Sequence, residues 1–415
     1  MSLSTDSPWL RRFALFTAIC TLILIGIGGL VTSHEAGMSV PDWPTSYGYN
    51  MFALPFKFWT GGALHEHTHR LVASTVGLLT AILAIWLWAR ETTGKIRRNG
   101  ILLIVGILLV VGGMMGVRKN PVFLSIALAS FLGIVFGIIK TKKTSGLRWF
   151  GIAALSAVVL QGILGGLRVV LFKDEIGIFH ATLAQMFLVL ISAIALFTSR
   201  WWQTLTRDSM RRVQIDPQVS QAGKNLFRFA FAVTLLILLQ LILGATMRHQ
   251  HAGLAIPDFP LAYGKIWPPT DDASILAFNQ MRHEVTDPNP ITASHILIHM
   301  MHRITAFLIL FSVGFLALKF RRALGAKARL ARLSLVWFGM IFAQLILGIV
   351  TVLKNKPADI ATAHVVLGAG SLVMGAIIAL IARKISVEGQ KPIRHVVATT
   401  SVQPASGSKA ELTTT

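Results

Sequence analysis

Four histidines and one glutamate carry most of the chemistry legible in this 415-residue chain. His69, His180, His302 and His364 each fall near the start of an apolar segment. A neutral imidazole offers one ring nitrogen to a metal while the other keeps its proton. Two imidazoles approaching from two helices can clamp one planar iron porphyrin between them. Two pairs would give two heme sites. The competing reading is four interfacial histidines hydrogen-bonded to neighbours. Glu66 lies three residues before His69, on the same helical face. Beside a ligated iron, such a carboxylate can move protons or stabilise developing positive charge. Its competing role is an ion pair with Arg70.

Other groups surround these five. Arg70 and Arg303 immediately follow His69 and His302, and Arg168 closes a Gly165-Gly166-Leu167-Arg168 run. Each guanidinium is a candidate for a heme propionate, with headgroup anchoring as the alternative for the first two. His295, His299 and His302 share one helical face and could bind a metal. Glu66 and His69 also match half of a di-iron carboxylate motif, but no other glutamate is expected inside a span. Cys20 is the single cysteine, so an intramolecular disulfide, a CxxC motif and a thiolate metal cluster are all excluded.

Positioning these residues falls to membrane helices. Hydrophobic residues make up 54% of the chain and charged residues 13%, which excludes an ordinary soluble globule and a disordered chain. Ten apolar segments are long enough to cross a bilayer: about 12–32, 62–89, 100–118, 121–140, 148–171, 177–198, 226–247, 295–318, 332–353 and 360–382. Alternate loops carry the Lys and Arg clusters, among them Arg90 to Arg98, Lys140 to Arg148, Arg200 to Lys224 and Lys319 to Arg332. By the positive-inside rule both termini are then cytoplasmic, in a membrane of the bacterial inner type. The net charge of +22 is a topology signal favouring anionic lipids, and nucleic acid is not an expected partner.

The chain repeats itself. Ala36 to Pro44 reappears as Ala252 to Pro260, and Tyr47-Gly48 reappears as Tyr263-Gly264, at an offset of 216. His69-Arg70 matches His302-Arg303, and Gln161-Gly-Ile-Leu-Gly165 matches Gln344-Leu-Ile-Leu-Gly348. His69 and His180 are 111 residues apart, whereas His302 and His364 are 62 apart. The excess predicts a helical hairpin inserted into the first of two four-helix halves. The expected fold is therefore an all-α polytopic membrane protein with an eight-helix core of two pseudo-symmetric four-helix bundles. The expected parts are a cytoplasmic N-terminus (1–11), an N-terminal half (12–198) with the insertion at about 97–145, a cytoplasmic linker (199–225), a C-terminal half (226–383) and a disordered cytoplasmic tail (384–415). The position of Glu66 is taken by His299 in the second half, so the first half is better suited to chemistry and the second to holding a redox cofactor.

These residues resemble the heme A synthase family, membrane enzymes that make heme A for cytochrome c oxidase. The resemblance rests on Glu66-x-x-His69-Arg70, His180, His302-Arg303, His364, Gly28-Gly29-Leu30-Val31, the Pro-Asp-Trp-Pro turn at 41–44 and Gln161-Gly-x-Leu-Gly165-Gly166. It covers about 10–383 apart from the hairpin. It implies two four-helix bundles and oxidation of the C8 methyl of heme O to a formyl group, by two hydroxylations and loss of water. It implies that His69 and His180 are the axial ligands of the substrate heme, with Glu66 as catalytic carboxylate, and that His302 and His364 hold a heme b cofactor. Heme O synthase and cytochrome c oxidase assembly factors become expected partners, together with membrane lipids and a second copy of the chain. Many bacterial members carry a cysteine pair in the first outer loop; this chain has none, and no disulfide-dependent step is open to it. A diheme b-type electron-transfer protein and a heme carrier are the other classes compatible with the same ligands.

Overall fold

The computed structural model describes residues 7–98, 100–102, 104–105, 146–202, 217–281 and 290–388. They form nine named helices: α1 (Pro8–Ser33), α2 (Gly61–Glu91), α3 (Leu147–Leu171), α4 (Asp174–Phe197), α5 (Pro217–His249), the short α6 (Asp272–Gln280), α7 (Ala293–Leu324), α8 (Arg329–Leu353) and α9 (Ala358–Glu388). Among the described residues, eight helices are long and apolar enough to cross a membrane, all but α6. The chain is an all-α, multi-pass membrane protein.

Helix ends follow local chemistry. Ser7 caps α1 with Pro8 in its first turn, and Thr292 caps α7 by accepting from the His295 amide. Glu91, the last residue of α2, accepts hydrogen bonds from the Leu147 and Arg148 amides. It thereby satisfies free donors at the start of α3 and ties the two ends together. That contact lets a segment be inserted between α2 and α3 without separating them. The hairpin expected at 100–140 lies almost wholly outside the described residues. Near its start, Ile104 packs with Ala81, Ala84, Ile152 and Leu155 of α2 and α3.

Two helices run past their expected apolar ends. The expected linker 199–225 includes residues from Pro217 that belong to α5, and the expected tail from 384 includes the end of α9 to Glu388. Hydropathy marks only the apolar part of a helix, whereas backbone hydrogen bonding continues through polar residues beyond it. The remainder of the tail lies outside the described residues.

In the N-terminal half the packed pairs are α1–α2, α2–α3, α3–α4 and α4–α1; in the C-terminal half they are α5–α7, α7–α8, α8–α9 and α9–α5. Each half is thus a closed ring of four antiparallel helices. The bundles meet through α1–α9, α4–α5 and α4–α9. Exchanging α1 with α5 and α4 with α9 maps this interface onto itself, as a pseudo-twofold relation requires.

The aliphatic core occupies one end of each ring. In the first half it contains Leu10, Ala14, Ala18, Val76, Leu83, Leu87, Phe187 and Ile191. In the second it contains Ala230, Val233, Ile309, Val313, Trp337, Ile341, Leu372 and Ile378. Both cores stop about two turns short of the four histidines, which belong to the opposite, loop-bearing end.

Candidate functional site: two pairs of histidines under two matched loops

His69 on α2 and His180 on α4 stand on diagonal helices of the first ring, as do His302 on α7 and His364 on α9 in the second. In each ring the other diagonal supplies a glycine for each imidazole. A Cβ built on Gly28 would lie 3.1 Å from His69 Cε1, and the corresponding distances are 3.4 Å for Gly165 to His180, 3.3 Å for Gly244 to His302 and 3.3 Å for Gly348 to His364. At Gly28, Gly244 and Gly348 a methyl group would press on the ring and make it give way, whereas at Gly165 it would sit in ordinary contact. All four Nδ1 atoms are buried without a hydrogen-bond partner, yet each histidine side chain is only half-buried. A buried imidazole normally finds a partner for its polar atoms, so these rings have hydrogen-bonding and ligating capacity that the protein does not use.

A second device accompanies the glycines. The side-chain amides of Gln161, Gln240 and Gln344 donate to the backbone carbonyls of His180, His302 and His364 at 3.0, 3.0 and 2.7 Å. In each case the glycine that cradles the same histidine lies four residues later, on the same helical face. Gln-x-x-x-Gly is therefore a histidine-positioning motif that occurs three times, at 161–165, 240–244 and 344–348. The fourth copy is Leu24-x-x-x-Gly28, which keeps the cradle and loses the amide. Sequence reasoning found two copies and missed the other two, which lie toward the ends of α1 and α5 at an offset of 216. His69 is accordingly the histidine least restrained by a neighbouring side chain.

Matched loops close the histidine-bearing end. In the first, the Asp42 carboxylate accepts from the Tyr47 amide at 2.6 Å, the Gly48 amide at 2.9 Å and the Thr45 hydroxyl. Tyr47 donates its hydroxyl to the Ser39 carbonyl at 2.6 Å. Asp258, Tyr263 and Gly264 repeat the pattern, with Tyr263 donating to the Ala255 carbonyl at 2.8 Å. Trp43 packs on Gly166 of α3, and Arg168 lies against Gly37. The second loop is heavier: α6 stacks Phe278 on Tyr263, and Ile256, Ile291, Ile296 and Met300 form a small core with them.

Burial opposes ionisation of Asp42, but its hydrogen bonds from Thr45, Gly48 and Tyr47, with the Arg70 charge, outweigh it and hold the carboxyl below its ordinary value of 3.8. A lowered folded value contributes stability above the unfolded value, and that contribution is lost as pH falls through the folded one. Hydrogen exchange at the Tyr47 and Gly48 amides should therefore speed up on acidification below about pH 4 relative to the helices, beyond the intrinsic pH effect. Asp42→Asn should show the faster exchange already at neutral pH and lose that acid dependence.

The three candidate arginines are placed differently. Arg70 donates through Nη1 to the Asp42 and Thr45 carbonyls, and through Nη2 to the Val40 carbonyl and Glu66 Oε1, the last at 2.6 Å. All its Nη hydrogens are engaged in clamping the loop. Arg303 donates to the Ile256, Asp258 and Leu261 carbonyls of the second loop. Arg168 follows Gly165, the glycine that faces His180, by three residues, and its guanidinium reaches Gly37 of the first loop. The second oxygen of Glu66 accepts from the Val40 amide at 2.8 Å, so the buried carboxylate joins α2 to the loop. His299, at the matched position, is buried with an unpartnered Nδ1. The three-histidine face at 295, 299 and 302 is not brought together: among the described residues no cluster of three or more His, Cys, Asp or Glu is arranged to hold a metal ion.

Proteins named heme A synthase resemble this chain along most of its length. The one from Methylobacterium radiotolerans is 24% identical over 376 residues, covering 90% of each chain. That from Wolbachia pipientis of Culex pipiens is 23% identical over 382 residues, covering 85% of this chain and 92% of the relative. That from Shewanella oneidensis is 24% identical over 375 residues, covering 86% and 90%. A family model described as COX15-CtaA, cytochrome oxidase assembly protein, matches residues 11–119 and 122–377. With the match spanning both bundles and all four histidines, the chain belongs to the COX15-CtaA family of cytochrome oxidase assembly proteins.

Proposed function

We propose that this chain is an oxidoreductase of heme A biosynthesis that converts the C8 methyl of heme O to a formyl group. The observation that carries this reading is the asymmetry between two otherwise matched histidine pairs. One has the Glu66 carboxylate a turn from its histidine, and the other has His299 at that position. The names of the relatives agree with it.

In this reading heme O is the substrate and is held between His69 and His180. A heme b cofactor is held between His302 and His364. The residues fit both groups: four unpartnered buried Nδ1 atoms, four glycine cradles and a bundle end that the aliphatic core does not reach. Bundle interiors are normally close-packed, and the diagonal placement of each pair suits ligation of a planar group across the ring. When bound, heme b supplies one-electron redox chemistry. The loops support the division of roles. The core of α6, Tyr263, Ile256 and Met300 over the second pair suits a permanently retained group, and the lighter first loop suits one that must enter and leave.

The protein residues then have distinct tasks. The histidines orient the bound porphyrins. The loop carried by Asp42 and clamped by Arg70 excludes water from the first site. Glu66 holds or takes up a proton at Oε1 or Oε2 beside the reacting porphyrin. Arg168 is the propionate ligand of the first site. Arg303 keeps a free Nη1 hydrogen and can add a propionate contact in the second; Arg70 could do so only through Nε. Both termini face the cytoplasm, and the basic loops contact anionic lipid headgroups. Heme O synthase, as the source of the substrate, and oxidase assembly factors, as takers of the product, are the partners this activity requires; a second copy of the chain is a further candidate.

One observation favours the diheme electron-transfer alternative: both Glu66 oxygens are already bonded to Arg70 and Val40, as in a purely structural ion pair. Absorption spectra and pigment chromatography on protein purified with and without a heme O source separate the two. The enzyme gives a low-spin b-type spectrum and heme A; unchanged heme O in the presence of an oxidant supports electron transfer or carriage.

A further inference from the structure

One part-buried contact between the bundles joins the surroundings of the two histidine pairs. Arg248, near the end of α5, donates through Nη2 to the Gly29 carbonyl and to Ser33 Oγ of α1, both at 2.5 Å. Gly29 follows the glycine that cradles His69. Ser33 Oγ is 3.4 Å from Thr362 Oγ1 on α9, two residues before His364. The helices are pressed together here, for a Cβ on Gly29 would come 3.1 Å from Thr362 Cγ2. Arg248 also lies one helical turn after Gly244, the glycine that faces His302. Among the described residues Arg248 makes its hydrogen bonds through Nη2 alone, leaving Nε and Nη1 unengaged, and the side chain is only half-buried. Half of the guanidinium is thus fixed to α1 while its other donors remain available.

The repeat shows that this arginine is specific to one site. Its counterpart in the first half is Thr32, which only bonds back to the Gly28 carbonyl. Arg168 of the first site has as counterpart Thr351, bonded back to Leu347. Each histidine pair therefore has a nearby arginine that its repeat partner lacks, and the two come from non-equivalent helices.

We propose that Arg248 is a positioning residue of the second site, using its available donors on a carboxylate of the heme held by His302 and His364 and tying that site to the His69 cradle through Gly29 and Ser33. This rests on the assignment of a heme to that pair. A fixed cation beside a heme favours the reduced iron, which carries one positive charge fewer, so its removal lowers the midpoint potential. Redox titration of the b-type heme in purified protein is the test. Arg248→Gln should make reduction about tenfold less favourable, which is about 59 mV for a one-electron couple, and Arg248→Lys should recover most of the shift. If the glutamine variant does not fold, Arg248→Thr, the residue type present at position 32, takes its place with the same expected shift. A wild-type potential in Arg248→Gln with heme bound, or an equal shift in Arg248→Lys, overturns the role of Arg248 and leaves the heme assignment standing. Absence of b-type heme from the wild-type protein removes the assignment itself.

Discussion

Alanine at His302 or His364 should strip the stable b-type heme from the purified protein, whereas alanine at His69 or His180 should leave that spectrum and abolish conversion of heme O. On the proposed assignment each substitution would remove one of the two ligating imidazoles and leave the other ring in place. Loss of an outer-shell partner of a metal ligand already costs about 10–100-fold in affinity or activity, and loss of the ligand should exceed that. The glycines give a graded control. Gly348→Val and Gly244→Val retain the imidazole but force a carbon to within about 3.3 Å of it, so heme content should fall without vanishing. Valine at Gly28 or Gly165 should do the same to conversion alone. Full retention of the b-type spectrum after loss of His302 or His364 would defeat the cofactor assignment, and unimpaired conversion without His69 or His180 would defeat the substrate assignment.

The helices and the duplication were legible because both depend on local signals: apolar length, basic loops and the returning Pro-Asp-aromatic-Pro turn. The histidine pairs were legible because an ionisable group among apolar residues is costly unless it has a function or a partner. What holds them was harder to read. A glycine in an apolar helix has many uses, and only the packing shows that Gly28, Gly165, Gly244 and Gly348 each face an imidazole. The amide of Gln240 was invisible for a similar reason. Its partner is a backbone carbonyl 62 residues away, and backbone groups leave no mark on the sequence. The arginines were read by sequence adjacency to the histidines, but residues adjacent on a helix point about 100° apart. Arg70 and Arg303 accordingly turn to the loops, and Arg248, distant in sequence, reaches Ser33, which contacts Thr362 two residues before His364.

Glu66→Gln should retain heme at both sites and lose turnover by about 100-fold or more, the usual scale for a positioned proton-transfer group. The structure makes the interpretation of that loss demanding. Oε1 and Oε2 accept from Arg70 and from the Val40 amide, and a glutamine can accept at only one of those positions while presenting a donor at the other. It would also leave the buried Arg70 without its counter-charge, and breaking one side of a buried ion pair costs about 3–5 kcal/mol. A fall in activity could then come from a displaced loop. Hydrogen exchange at Tyr47 and Gly48 in the same variant separates the causes, because Arg70 keeps its three carbonyl contacts to the loop. Should Glu66 serve only to hold Arg70 and the loop, loop protection and activity should fall together. Should Glu66 carry protons for methyl oxidation, Glu66→Gln should keep loop protection and still be inactive. The second result is the expected one, since His299 at the matched position shows that the loop clamp forms without a carboxylate: Arg303 holds the second loop through three carbonyl contacts and no acidic side chain.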